Sequence, residues 1–205
     1  MKATIVLLAL VTALTLSAPP SYAVPILFSA NLSGANERPT PVNSPGTGQA
    51  FVTLDAAANT LSLNVIFSGL TSPTSAAHIH CCAPLGTNAG VATTVPAFPG
   101  FPLSVTSGAY SGILDLTSSG SYNPAFITNN GGSVAAAEAV FIAGLLGGNT
   151  YLNIHTTANP GGEIRGQLLR VPAPASLLLL AVGLAGLGAS VAWGPRSIHH
   201  RGLPG

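Results

Sequence analysis

Apolar and polar residues alternate with a period of two along much of the chain. Ile26, Phe28, Ala30 and Leu32 alternate with Leu27, Ser29, Asn31 and Ser33, which predicts a first strand with one buried face. Gln49 to Leu54 reads as a second strand, and Asp55 to Asn59 as the turn after it. Thr60 to Ser68 has the clearest alternation, with Leu61, Leu63, Val65 and Phe67 on one side. Further strands are predicted at Ala76–Cys82 and Tyr110–Leu116. A last hairpin pairs Tyr151–Thr156 with Glu163–Leu168 across the turn Asn159-Pro160-Gly161-Gly162. The period changes once. Ser133 can cap a helix to Leu146, stopped by Gly147-Gly148, with Val134, Phe141, Ile142 and Leu145 as its apolar face.

Closely spaced strands with turn residues between them predict a mainly β fold, an antiparallel Greek-key-like β-sandwich with one short helix at about 133–146. Two stretches resist this pattern. Gly34 to Gly48 is a loop rich in Pro, Asn and Ser, holding Glu37 and Arg38. Ala83 to Ser107, centred on Phe98-Pro99-Gly100-Phe101-Pro102, is too broken for regular structure, and loops of that length are often functional.

The two ends of the chain belong to a different pattern. Lys2, the apolar run Ile5–Leu16 and the small residues Ser21-Tyr22-Ala23 predict a signal peptide over 1–23, cleaved after Ala23. Export would place Cys81 and Cys82 in an oxidising compartment. At the other end, an apolar run from Leu177 to Trp193 is long enough for a transmembrane helix, and Arg196 and Arg201 follow it. Together with Pro172-Ala173-Pro174, this 171–205 segment resembles the PEP-CTERM sorting signal of Gram-negative bacteria. That resemblance implies a signal peptidase and an exosortase-like enzyme as processing partners, and a destination at the cell surface or outside the cell. Pro-Ala-Pro replaces the usual Pro-Glu-Pro, and the alternative is a chain that stays as a single-pass anchor. The remaining 24–170 is the size of one domain.

Charge narrows the function. Only 5% of the 205 residues are charged and the net charge is +1, which argues against a nucleic-acid partner. Polar chemistry is concentrated in two short motifs. Ala77-His78-Ile79-His80 would project both imidazoles from one face of a strand, and Tyr151-Leu152-Asn153-Ile154-His155 supplies a third. Three imidazoles suit one Zn or Cu ion and would leave a coordination position open. Alternatively, His78, His80 and His155 hydrogen-bond backbone carbonyls or Asn153 and tie the hairpin to its neighbour. Cys81 and Cys82 predict a vicinal disulfide, with soft metal ligation beside His80, an intermolecular bridge or free thiols as alternatives. Glu163 and Arg165 share a strand face and predict a structural ion pair, extended by Glu37; a general base and anion clamp is the catalytic alternative. No motif for an activated Ser or Cys nucleophile and no phosphate-cradling glycine loop is visible.

Leu32-Ser33-Gly34-Ala35-Asn36-Glu37-Arg38-Pro39, the strand from Gly48, Ala77–His80, Tyr151–Thr156 and Glu163-Ile164-Arg165-Gly166 together resemble the CHRD domain. The resemblance implies a mainly β, sandwich-like fold and brings no settled activity. The sequence therefore supports two readings. One is a non-enzymatic exported module in matrix, adhesion or binding of a ligand such as a polysaccharide. The other is a metal-binding domain or metalloenzyme using His78, His80 and His155.

Overall fold

The structure is a computed structural model and describes residues 24–172. The segment read as a signal peptide (1–23) and the apolar run Leu177–Trp193 of the sorting signal lie outside these residues. Among the described residues no helix is long and apolar enough to cross a membrane.

The alternating stretches form strands β1 (Ile26–Ser33), β2 (Thr47–Asp55), β3 (Thr60–Ser68), β4 (Thr74–Cys81), β5 (Gly90–Val91), β6 (Gly108–Asp115), β7 (Thr150–Thr156), β8 (Ile164–Gln167) and β9 (Leu169–Arg170). Their pairing follows the order β5-β4-β7-β8-β1-β2-β3-β6, antiparallel between every pair of neighbours, with β9 also on β1. The expected sandwich is thus corrected to a single curled sheet. Its two halves meet at one seam, where Ser33 pairs with Arg165 and, after Leu168, Ser29 pairs with Leu169. Period-two patterns fix which residues face inward; they carry no information on whether two groups of strands share hydrogen bonds.

The inward residues close one core. Phe28, Val52, Leu54, Leu61, Leu63 and Val65 from one half meet Ala77, Ile79, Leu152, Ile154 and Ile164 from the other. The 83–107 segment contributes to this core, because Phe98 and Phe101 are buried there and stack on Tyr110 and Phe67.

The described residues hold two α-helices where the domain was expected to have one. α2 (Val134–Leu146) starts as predicted, with the Ser133 hydroxyl accepting from Ala136 N at 3.2 Å. Its buried stripe is Ala137, Phe141, Gly144 and Leu145, with Val134 and Ile142 only partly covered. An almost wholly apolar helix does not declare its inner face; Phe141 and Leu145 lie inward as expected, and Ala137 and Gly144 join them in place of Val134 and Ile142. The missed helix, α1 (Pro124–Asn129), has a legible start: Asn123 caps it and Pro124 sits in the first turn.

Candidate metal centre

Strand β7 is buried along its whole length, so both of its faces are covered. Leu152 and Ile154 face the core, and Tyr151, Asn153 and His155 face the other way. Register sets the neighbours of this second face. His78 lies opposite Asn153, His80 opposite Tyr151 and Ala76 opposite His155 on β4; Arg165 lies opposite Asn153 on β8. The result is a polar layer on the back of three adjacent strands.

Two loops roof it. His80 Nδ1 is 2.9 Å from the Ala89 carbonyl, and the Tyr151 hydroxyl accepts from Ala89 N at 3.1 Å. Arg165 donates to Asn88 Oδ1 at 2.6 Å and to the Thr87 carbonyl at 3.0 Å. Its guanidinium lies 4.1 Å above the Tyr151 ring, which stacks on His80 with 4.6 Å between centroids. From the other side Glu37 accepts from Asn153 Nδ2 at 3.4 Å.

The three imidazoles converge in this layer. One ligand nitrogen from each of His78, His80 and His155 lies within 4.8 Å of the others. His78 Nδ1 and His80 Nε2 are 3.3 Å apart. Zn–N bonds of about 2.0–2.1 Å in a tetrahedron hold ligand nitrogens roughly 3.4 Å apart, so that pair already has the spacing. Carbonyls orient two of the rings. With Nδ1–H donated to Ala89 and to Pro160 (3.0 Å), His80 and His155 both present an Nε2 lone pair. Burial, reinforced by the neighbouring imidazoles, pushes His78 down to about 3. Burial likewise takes His80 to about 4, partly offset by its bond to Ala89, and lowers His155. All three are neutral at neutral pH, the form that binds metal.

Buried side-chain atoms without partners point the same way. Four occur among the described residues, and three of them, His155 Nε2, Asn153 Oδ1 and Glu37 Oε1, belong to this layer. His155 Nε2 and Asn153 Oδ1 are acceptors left without a donor, and leaving such atoms unmatched is costly. Burial raises the Glu37 carboxyl to about 7, against the pull of Arg165.

The expected Glu163–Arg165 ion pair is replaced by separate attachments. Glu163 Oε1 accepts from Ser44 Oγ (2.6 Å) and Thr71 N (2.7 Å), and Oε2 from Thr156 Oγ1 (2.6 Å). Burial alone would raise this carboxyl, but those bonds outweigh it and hold it below the ordinary value. The period-two argument fails because β8 begins only at Ile164, after Gly162 at φ +124°. Glu163 therefore joins Thr156, while Arg165 joins the Tyr151 side.

Cys81 and Cys82 are joined by a disulfide, on the far side of β4 from His80. Gly144 of α2 packs on both sulfurs, where a β-carbon would stand 2.5 Å from Cys81 Sγ and 2.7 Å from Cys82 Sγ. The residues that sequence reasoning left out are the loop groups, Asn88, Ala89 and the Pro160 carbonyl. Only the last had a signal, in the Asn-Pro-Gly-Gly turn that folds it back over His155.

Fold and site together define a mainly β domain with a buried, uncharged histidine cluster behind its sheet. The chain belongs to the CHRD family: the CHRD domain model matches residues 28–168. Comparison with curated proteins and with solved structures gives no match.

Proposed function

We propose that this CHRD domain is an exported binding module whose built site is a mononuclear metal centre formed by His78, His80 and His155. One observation carries the reading: three buried, neutral imidazoles bring ligand nitrogens within 4.8 Å of one another, two of them aimed by backbone carbonyls. An all-imidazole set suits Zn(II) or Cu(II), and three ligands leave a fourth position for water or an exogenous group. The two sulfurs are bonded to each other and supply no thiolate.

The setting is part of the same proposal. A signal peptide at 1–23 and a PEP-CTERM-like segment at 171–205 support processing by signal peptidase and an exosortase-like enzyme, and a place at or beyond the surface of a Gram-negative cell. A disulfide between the only two cysteines suits that oxidising location.

Elemental analysis of the natively exported protein and titration calorimetry with Zn(II) and Cu(II) test the centre. About one equivalent should bind, and His155→Ala should abolish binding while the variant still melts cooperatively. No metal in the native protein and no saturable heat with either ion would remove the proposal.

A further inference from the structure

We infer that the domain carries a second binding site, a pocket for a neutral saccharide floored by the Cys81–Cys82 disulfide. A cavity of about 430 Å³ opens where the end of β4, β5 and the two helices meet. That volume falls within the range of small-molecule sites. Cys81 follows His80 on β4, so this pocket lies on the opposite side of the strand from the histidines and is independent of the metal reading.

Its floor is apolar and fixed. The disulfide is pinned against Gly144 of α2. Phe126 is buried beside it, its ring 6.3 Å from Tyr122 and 6.4 Å from Phe141 between centroids. The polarisable disulfide, with Cys82 exposed, offers an apolar surface on which the C–H face of a pyranose ring can rest.

Its rim is amide. Asn123 Oδ1 caps α1 by accepting from Ala125 N, which leaves Nδ2 to donate. Asn130 Nδ2 donates to the Phe126 carbonyl, which leaves Oδ1 to accept. Asn129 is exposed, and its amide has no partner among the described residues. Hydroxyls both donate and accept, so paired amide donors and acceptors match them. None of the lining residues is charged. An ionic ligand would lose hydration without gaining a counter-charge, and a purely apolar one would leave the amides unmatched. A neutral, hydroxyl-rich ring satisfies both floor and rim.

Calorimetry of the full chain with maltotriose, cellotriose and chitotriose, and with trigalacturonate as a charged control, tests this. At least one neutral trisaccharide should bind saturably. Ala125→Trp, which fills the exposed mouth, and Asn129→Ala should each weaken it about five-fold or more at an unchanged melting temperature. Metal uptake by both variants should equal that of the parent, which separates this site from the histidine centre. The inference is overturned by no neutral sugar binding up to about 10 mM, by binding that both variants leave intact, or by binding of the charged sugar alone.

Discussion

Glu37 is the residue whose state the polar layer leaves most open. Its carboxyl is buried, bonded weakly to Asn153, and raised to about 7 from an ordinary value of 4.5. The folded protein therefore holds a proton on Glu37 that the unfolded chain releases between those two values. Stability from this group is complete below about 4.5 and is lost as pH rises through about 7. Glu37→Gln removes the titration. Its melting temperature relative to the parent should climb with pH across that window, by a few degrees, and level off above it. A difference that stays constant from pH 4.5 to 8 would show that Glu37 is not a buried acid. Gly162 stands beside it for a steric reason: at φ +124° it leaves room that a β-carbon would take from Asn153 and from Glu37 Oε1.

At the scale of elements, α2 shows how one missing side chain sets a packing distance. Gly144 costs helix propensity, yet it lets the helix rest on the disulfide sulfurs at the end of β4. Gly144→Ala should destabilise the fold by about 1–3 kcal/mol, because the sulfurs cannot move without shifting β4. Gly161→Ala is the matched control: its turn position meets nothing within 4 Å, and urea denaturation should show a change of less than about 0.5 kcal/mol. Equal effects from the two would mean that the helix does not need this close approach. On α2's inner face Ala137 and Gly144 take the places expected of Val134 and Ile142.

For the whole molecule, the histidine layer sets the acid limb of stability. The unfolded chain binds protons on His78, His80 and His155 from about 6.5 downward, while the fold holds these groups neutral to about 3 and 4 for the first two and lowered for the third. Their contribution is full above 6.5 and is lost as pH falls toward those values, partly offset by Glu37 above 4.5. Melting of the metal-free protein should drop steeply below pH 6, and His80→Gln should make that limb shallower. Parallel acid limbs for parent and variant would place the cause elsewhere.

What the sequence determined by itself was local. Period-two alternation placed the strands β1, β3 and β7 closely, because side-chain direction along a strand follows from backbone geometry alone. Ser133 and the following glycines bounded α2 for the same local reason. The pairing of His78 and His80 on one face was also legible. Tertiary structure decided the rest. A curled sheet with one seam rather than two sheets, the back of β7 closed by loops, and the diagonal approach of His155 to His78 all depend on strand order and register, which join residues far apart in the chain. The partners of Glu163 and Arg165 were settled by a single glycine turn, because one residue of irregular backbone before a strand changes the face that a side chain reaches.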